Sequence, residues 1–370
     1  MIEGGKKLGA ELFVLDDGWF GKRDIDDRSL GDWFVNEDKL DLRKAIARCR
    51  ELNMKFGIWI EPEMINQNSE LFRAHPEYAA ADFSSYPHLS RHQVPLDFSN
   101  PEVVDCVYGM LEKLFTEYKV DYVKWDHNRS VEDCYSPYLR KGRQGEFTYR
   151  NVLGYYSLIE RLEKRFPDIH FQGCASGGGR FDLGTLYYFP EIWTSDENDP
   201  VQRLFIQYGT SFAYPPATMG AHVNDCDVTS YKTKAQIALF GSYGFELDPQ
   251  KVTDEEAKEL EEVNEIYRKY HDKVILDGTF YRLISPFDGD AFAVESVQKD
   301  KGAAIVLYVN LLKKQKIRRF IKLKGLDEKA LYRNDLDGKT YRGEFYMKVG
   351  LNLSFTVKEF QSRLIVLEKV

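Results

Sequence analysis

Two aspartates close short apolar runs, and carboxylates in such positions can carry acid–base or nucleophilic chemistry. Asp126 follows the run over residues 120–125, and Asp196 follows the run over residues 189–195. A short run that is rich in β-branched and aromatic residues predicts a buried parallel strand. A pair of carboxylates at strand ends is typical of glycoside hydrolysis, because one acts as nucleophile or base while the other protonates the leaving oxygen.

The elements that must position these aspartates follow a repeating order of strand, helix and strand, which predicts a (β/α)8 TIM barrel. Chemistry gathers at the carboxyl ends of barrel strands. A single acid there is explained equally well as the cap of the next helix, whereas a whole series favours a site. The predicted strands that run into polar residues span residues 11–15, 55–60, 120–125, 169–172 and 189–195.

Helices and further strands complete the predicted barrel. Asn100 and Pro101 are typical of a helix start, and Thr253 with Glu256 predicts a capping box at the start of a later helix. The strand count is seven, and an eighth would precede the first residue, so we expect the chain to lack the start of the barrel. Further helices are predicted over residues 38–52 and 150–166, and further strands over residues 211–218 and 238–246.

The last hundred residues have a different pattern. From about residue 276 the apolar residues alternate with polar ones, which predicts a small antiparallel β-sandwich. Asp-Gly pairs at 288–289 and 337–338 indicate tight turns. We therefore expect a barrel domain over residues 1–275 and a sandwich domain over residues 276–370, with the chemistry in the barrel. The predicted strands of the sandwich include residues 291–297, 303–309, 318–324 and 363–367.

Composition excludes several classes of protein. The 370 residues carry a formal net charge of −8, which argues against nucleic acid or an anionic membrane as the partner. No stretch approaches the roughly 20 apolar residues that cross a bilayer, and the first residues do not resemble a signal peptide. The five cysteines are widely spaced and form no Cys-x-x-Cys pair, so neither a disulfide framework nor a zinc site is indicated. We expect a cytoplasmic protein.

Five motifs stand out in order along the chain: Leu15-Asp16-Asp17-Gly18-Trp19-Phe20-Gly21, Trp59-Ile60-Glu61-Pro62-Glu63-Met64, Lys124-Trp125-Asp126-His127-Asn128, Cys174-Ala175-Ser176-Gly177-Gly178-Gly179-Arg180-Phe181-Asp182 and Trp193-Thr194-Ser195-Asp196. Through these motifs the sequence resembles the α-galactosidases of glycoside hydrolase family 36. In that family the aspartate of the Lys-Trp-Asp motif is the nucleophile and the first aspartate of the Ser-Asp-x-x-Asp motif is the acid/base. The resemblance therefore implies that Asp126 and Asp196 have these roles in a retaining mechanism.

The resemblance also implies a sugar-binding set. Asp16 and Asp17 resemble the adjacent acids that accept hydrogen bonds from the galactose 4- and 6-hydroxyls, and only one of them can point straight into the barrel mouth. Lys124 is expected either to keep Asp126 ionised or bind a hydroxyl, or else to form an interior salt bridge. The remaining positions that match the sugar subsite are Arg91, Asn128, Cys174 and Gly177.

Two tryptophans and two glutamates have open roles. Trp59 and Trp193 would suit stacking on a sugar ring, but tryptophan at a barrel strand is more often simply packed. Glu61 and Glu63 are rival catalytic acids by residue type, although Pro62 between them favours an orienting or scaffold role. Two departures from the family pattern fall at His92 and at Glu197-Asn198.

The predicted activity is hydrolysis of terminal α-linked galactose from oligosaccharides such as melibiose and raffinose. No metal or organic cofactor is implied, because two carboxylates and water suffice. An α-N-acetylgalactosaminidase or a galactosyl transferase of the same family is the enzymatic alternative. The resemblance implies an N-terminal β-sandwich domain, which we expect this chain to lack. The remaining alternatives are therefore a truncated, inactive galactoside-binding fragment, or a site completed by a homo-oligomer or a partner chain.

Overall fold

The computed structural model describes residues 1–85, 88–132, 134–311, 315–316, 319–353, 356–357 and 359–370. The chain divides into two compact units. The first unit contains residues 11–193 with Ile2, and the second unit contains residues 194–370 with Met1 and residues 3–10.

The described helices are numbered in chain order. They are α1 (Ile2–Lys7), α2 (Leu42–Glu51), α3 (Glu70–Ala74), α4 (Pro101–Tyr118), α5 (Phe147–Arg165), α6 (Leu183–Tyr188), α7 (Pro200–Thr210), α8 (Tyr231–Ala238), α9 (Asp254–Tyr270) and α10 (Gly343–Lys348). Short 3-10 helices lie at Pro76–Tyr78, Phe83–Ser85, Lys141–Glu146 and Pro216–Thr218, and a π-helical turn lies at His271–Leu276. Among the helices of the described ranges, none combines the length and the apolar character that crossing a membrane requires.

The described strands are numbered in the same way. They are β1 (Leu12–Leu15), β2 (Lys55–Ile60), β3 (Met64–Asn66), β4 (Gln93–Pro95), β5 (Tyr122–Trp125), β6 (His170–Gly173), β7 (Glu191–Trp193), β8 (Met219–Asn224), β9 (Ser242–Glu246), β10 (Thr279–Ile284), β11 (Ala291–Val297), β12 (Ala303–Asn310), β13 (Gln315–Lys316), β14 (Phe320–Ile321), β15 (Leu331–Asn334), β16 (Thr340–Arg342), β17 (Leu351–Asn352), β18 (Thr356–Val357) and β19 (Ser362–Lys369).

The first unit is built on parallel strands in the order β1-β2-β5-β6-β7. Neighbouring strands pair in parallel, as Leu12 does with Lys55 and Gly57 with Tyr122. The strands β3 and β4 form a separate antiparallel pair. Parallel strands align their carboxyl ends at one edge, so the residues that follow β1, β2, β5, β6 and β7 meet there.

Helix α4 shows how local sequence delivers the chain to that edge. The side chain of Asn100 accepts a hydrogen bond from the backbone N–H of Glu102, and Pro101 occupies the first turn, as predicted. The helix ends at Lys119, whose backbone is left-handed with φ of 50°. Its buried face consists of Val103, Val104, Val107, Leu111, Leu114 and Phe115, and the strand that follows is β5.

The second unit combines a parallel pair with an antiparallel sheet. Strands β8 and β9 pair in parallel, and the six-stranded antiparallel sheet has the order β10-β11-β12-β19-β15-β16. Successive side chains along β12 point to opposite faces of this sheet, and both faces are buried. Ile305 and Leu307 pack in a core that includes residues of α8 and α9, whereas Val306 and Tyr308 pack in a second core.

Most predicted elements are present, with two corrections. The strand predicted over residues 211–218 is wrong, because Pro215 and Pro216 lack N–H donors and start a 3-10 turn, and the strand is Met219–Asn224. The strand predicted over residues 238–246 is only Ser242–Glu246, because helix α8 extends to Ala238. The start of the strand predicted over residues 318–324 lies outside the described residues.

The predicted fold class is confirmed. Five parallel strands in the first unit and two in the second alternate with helices, and antiparallel sheets follow them. The capping box is also confirmed, since the Thr253 hydroxyl accepts from the Glu256 N–H while the Glu256 carboxylate accepts from the Thr253 N–H.

Candidate active site

Asp126 lies directly after β5, and its carboxylate is buried, with 6% of the residue exposed. The indole N–H of Trp59 donates to Oδ2 over 3.0 Å, and the Asn128 Nδ2 donates to the same oxygen over 2.7 Å. The backbone N–H of His127 donates to Oδ1 over 2.8 Å. Three donors that stabilise a negative charge therefore hold the Asp126 carboxylate in one orientation.

Glu61, at the end of β2, is linked to Asp126 through one side chain. Asn128 donates its backbone N–H to Glu61 Oε1 and its Nδ2 to Glu61 Oε2, the latter over 3.0 Å. Burial, and then the charge of Asp126, raise the pKa of Glu61 to about 8, against the opposing hydrogen bonds from Asn128 and the charge of Arg91. Glu61 is therefore an interior acid that contacts the partner of Asp126 and not Asp126 itself.

Glu63 anchors the residues on either side of Asp126. Its Oε1 accepts from the Trp125 indole over 2.8 Å and from Arg180 Nη2 over 2.8 Å, and its Oε2 lies 3.4 Å from His127 Nδ1. Burial raises the pKa of Glu63, but the charges and hydrogen bonds of Arg180 and His127 outweigh that effect and hold the pKa well below its usual range. A permanently ionised, salt-bridged Glu63 supports the scaffold role.

Lys124 on β5 and Asp16 after β1 form a salt bridge, although β2 lies between these two strands in the sheet. Lys124 Nζ donates to Asp16 Oδ2 over 2.8 Å and lies 6.0 Å from the centre of the Trp193 ring. Burial alone would lower the pKa of Lys124, but the Asp16 carboxylate, with further contributions from Cys174 and Asp126, raises it above the usual value. Lys124 therefore stays cationic, and Asp16 remains 59% exposed.

Asp17 faces a different cation. Arg23 Nε donates to Oδ1 over 3.1 Å and Nη2 donates to Oδ2 over 2.9 Å. The two adjacent aspartates therefore have separate partners on separate elements, in accord with the expectation that they point in different directions. Sequence reasoning missed Arg23, because nothing in the sequence pairs it with Asp17.

The loop after β6 brings Cys174 to Asp126. The Cys174 N–H donates to the Trp125 carbonyl over 2.7 Å, and burial, then the nearby Asp126 charge, raise the pKa of its thiol. The turn that follows has left-handed backbone at Ser176 and Gly177, with φ of 45° and 83°. The Ser176 hydroxyl donates to Asn128 Oδ1 over 3.1 Å, so the glycine-rich loop is fastened to the Asp126 network.

The two tryptophans are packed. Trp59 is buried and stacks on Phe20 with ring centres 6.0 Å apart, while its indole N–H is used by Asp126. Trp193 is also buried. Arg91 is partly exposed, has left-handed backbone with φ of 53°, and lies 3.7 Å from the Asp26 carboxylate. Trp59 is therefore better placed to orient Asp126 than to offer a stacking face.

Asp196 belongs to the second unit, where its loop is held from several sides. Arg203 Nη1 donates to the Ser195 carbonyl over 3.1 Å, and Asn198 Nδ2 donates to Glu246 Oε2 over 2.7 Å. The Asp199 carboxylate caps α7 by accepting the N–H groups of the helix start over 2.9 Å. Asp196 is exposed between these contacts.

The first unit thus links ten of the predicted residues through short-range contacts. They are Asp126, Asp16, Asp17, Trp59, Arg91, Lys124, Asn128, Cys174, Gly177 and Trp193. Across the described ranges, His, Cys, Asp and Glu form no group of three or more that could hold a metal ion.

Two family models match almost the whole chain. Residues 1–277 match the Melibiase model, and residues 291–367 match the model of the glycosyl hydrolase family 36 C-terminal domain. The chain belongs to the Melibiase family. The predicted resemblance to family 36 α-galactosidases is confirmed, and with it the assignment to the glycoside hydrolases.

Curated relatives from this family are similar over nearly the full chain. The bifunctional alpha-galactosidase/sucrose kinase of Mediterraneibacter gnavus is 44% identical, over 96% of this chain and 38% of that protein. The alpha-galactosidase AgaA of Geobacillus stearothermophilus is 40% identical, over 98% of this chain and 51% of that protein. The chain therefore spans about half the length, or less, of these relatives.

Solved structures of alpha-galactosidases are also similar over the whole of this chain and about half of their own. The alpha-galactosidase of Lactobacillus brevis has a TM-score of 0.96 at 38% identity and covers all of this chain and 52% of its own. A variant of AgaA from Geobacillus stearothermophilus in complex with raffinose has a TM-score of 0.95 at 39% identity, with the same coverage.

Proposed function

We propose that the chain is an α-galactosidase that releases terminal α-linked galactose from oligosaccharides of the melibiose and raffinose type. The observation that carries this proposal is Asp126, a buried carboxylate at a strand end that three donors hold in place. Relatives named as alpha-galactosidases, and structures of one of them with raffinose and stachyose, support the substrate class.

The proposed mechanism is a double displacement with retention. Asp126 attacks the anomeric carbon while Asp196 protonates the leaving oxygen, which gives a glycosyl-aspartate. Asp196 then removes a proton from water, and water displaces Asp126. This mechanism requires the two carboxyl groups to lie about 5 to 5.5 Å apart in the active enzyme. The donors around Asp126 hold its carboxylate in one orientation, as a nucleophile needs.

The remaining residues divide by exposure. Asp16, Asp17 and Arg91 are accessible and suit hydroxyl binding, whereas the buried Trp59 suits positioning of Asp126. Asn128 bridges Asp126 and Glu61 and is partly exposed, so it suits both tasks. Lys124 keeps a positive charge near Asp126 and Asp16. Cys174, Gly177 and Trp193 complete the proposed sugar subsite.

We also propose the domain division at residues 275 and 276 and a cytoplasmic location. The first is supported by the two family matches, which end at residue 277 and begin at residue 291. The second is supported by the five cysteines, which form no disulfide among the described residues. We further propose that a homo-oligomer or a partner chain supplies any part of the sugar subsite that the residues named above do not form.

The test is release of p-nitrophenol from p-nitrophenyl α-galactoside by the purified chain, beside Asp126→Asn. The variant is expected to lose at least about a thousandfold in kcat, as loss of a nucleophile does. A matched control is Asp121→Asn, an acid next to the opposite end of the same strand, which accepts the Phe56 N–H. Proton NMR of the first-formed galactose anomer tests retention. Equal activity in the parent and Asp126→Asn would reject the assignment.

A further inference from the structure

Arg23 forms a two-contact salt bridge with Asp17, one of the two candidate hydroxyl-binding acids. Its side chain is only 5% exposed, and its Nε and Nη2 donate to the two oxygens of Asp17 over 3.1 and 2.9 Å. A planar fork of this kind fixes the plane of a carboxylate as well as its charge. Oδ2 also accepts from Nε over 3.3 Å, but Oδ1 keeps a second lone pair and Asp17 remains 31% exposed, so it can still accept a hydrogen bond from a ligand.

The rest of the Arg23 guanidinium holds a second segment of the same loop. Its Nη1 donates to the carbonyls of Asp26 and Arg28 over 2.7 and 3.1 Å, and its Nη2 donates to Asp26 Oδ1 over 3.2 Å. The other carboxylate oxygen of Asp26 lies 3.7 Å from Arg91 Nη2. Alternating charges therefore run from Asp17 through Arg23 and Asp26 to Arg91.

Asn66 ties the backbone of the two loops together. Its Nδ2 donates to the carbonyls of Asp26 and His92 over 3.2 and 2.8 Å. Arg91 and His92 both have left-handed backbone, with φ of 53° and 58°. Non-glycine residues persist in that conformation only where the surrounding structure determines it. Arg91 is thus joined to the contacts around Arg23 and Asn66 by its ion pair with Asp26 and by the neighbouring His92 carbonyl.

Asp16 provides the contrast within the same pair of acids. Its cation, Lys124, makes a single contact of 2.8 Å and belongs to the proposed sugar subsite itself. Asp16 is 59% exposed, about twice as exposed as Asp17. Arg23 has almost no exposed surface with which to meet a ligand, so any effect it has on binding must pass through the residues that it holds.

We propose that Arg23 is a positioning residue that fixes Asp17 directly and Arg91 through Asp26, and thereby sets the affinity for the galactosyl group. This inference rests on the proposed function. Removing the fork frees the Asp17 carboxylate to rotate, and a charge-assisted hydrogen bond that loses its geometry loses most of its strength.

The experiment compares Arg23→Gln and Arg23→Lys with the parent chain. It measures KM and kcat for p-nitrophenyl α-galactoside and the Kd of D-galactose by calorimetry. In Arg23→Gln, KM and Kd are expected to rise at least about tenfold with a much smaller change in kcat, because a ground-state contact is lost. Arg23→Lys keeps the charge without the fork, so its KM is expected to stay closer to that of the glutamine variant than to that of the parent.

A double-mutant cycle separates positioning from stability. If Arg23 acts through Asp17, Arg23→Gln adds little to KM in an Asp17→Asn background. The structural control is Asp32→Asn, because the buried Asp32 accepts the N–H groups of Glu70 and Leu71 over 2.9 and 3.0 Å and is expected to affect unfolding alone. Arg23 variants that behave like Asp32→Asn, with an altered unfolding midpoint and unchanged KM and Kd, would overturn the inference.

Two further outcomes are decisive. If the arginine variants do not fold, Asp26→Asn replaces them, since it weakens the link to Arg91 and leaves the fork on Asp17. A raised KM in that variant supports the link from Arg23 to Arg91, and an unchanged KM overturns that link. If the parent neither hydrolyses the galactoside nor binds galactose, the proposed function fails and the inference falls with it. An active parent whose arginine variants match it in KM rejects the inference alone.

Discussion

Buried acids have more hydrogen-bond partners at the edge of the parallel sheet in the first unit than inside the antiparallel sheet of the second unit. In the first unit, Glu63 meets Arg180 in a two-contact salt bridge and Glu61 meets both N–H groups of Asn128. In the second unit, Glu295 on β11 is 0% exposed, and a single donor, the Lys324 N–H at 2.8 Å, reaches its Oε2. No polar atom of the described residues hydrogen-bonds its Oε1.

The comparison shows why buried acids alone do not identify a site. Burial raises the pKa of both Glu61 and Glu295 to about 8. Only Glu61 belongs to a network whose other members include exposed carboxylates and a buried carboxylate with three donors. A convergent network is the feature that distinguishes functional burial from packing.

The largest expected effect is the loss of the Glu63–Arg180 pair. Glu63→Gln removes the counter-charge that pairs with Arg180 from a site where the Glu63 side chain is only 6% exposed. Breaking such a pair costs about 3 to 5 kcal/mol of unfolding free energy. Urea unfolding of the purified chain measures it. Glu160→Gln, which removes an exposed pair with Lys164 on α5, is the control and is expected to leave the midpoint unchanged. Similar midpoints for both variants would show that the buried pair has no special weight.

The second prediction concerns Glu61. In Glu61→Gln a donor replaces one of the two oxygens that accept from Asn128, so Asn128 moves and its hydrogen bond to Asp126 lengthens. A displacement of about 1 Å near the chemistry costs about a hundredfold in rate, so kcat is expected to fall by that factor with a much smaller change in KM. Steady-state kinetics measures it, with the exposed acid Glu102 on α4 changed to glutamine as control. A normal kcat would show that Asn128 holds Asp126 without help from Glu61.

The third prediction concerns the pH dependence of stability that Glu295 causes. Because the folded pKa of Glu295 is about 8 and the unfolded value is near 4.5, the folded state binds an extra proton between these pH values. Stability is therefore fully present below about pH 4.5 and falls as pH rises towards 8, by at most about 1.4 kcal/mol per pH unit from this group. Glu295→Gln is expected to flatten this dependence when unfolding is followed at pH 5, 6.5 and 8. A slope unchanged in the variant would assign the dependence to other groups.

The sequence predicted the parts of this comparison that are local. The strand ends, the start of α4 and the Thr253 capping box follow from side chains a few positions apart. Arg23 and Arg180 were not predicted as partners, since their roles depend on which residues lie opposite them after the sheet forms. Glu63 and Arg180 are 117 positions apart in sequence. The pKa shifts of Glu61 and Glu63 have opposite directions for the same reason. Residue type and spacing alone do not distinguish these two glutamates.

The smallest effect is expected at the exposed helix cap of α9, where the polar contact is open to solvent. Thr253 caps α9 through its hydroxyl, and the Glu256 carboxylate accepts a hydrogen bond from the Thr253 N–H over 2.9 Å. Thr253→Ala removes the hydroxyl and is expected to cost about 1 kcal/mol of unfolding free energy. Thr253→Ser keeps the hydroxyl and should match the parent within a few tenths of a kcal/mol. Water can replace the lost partner here, whereas the Glu63 side chain is only 6% exposed. A cost at Thr253 equal to that at Glu63 would therefore contradict the view that burial sets the weight of each polar contact.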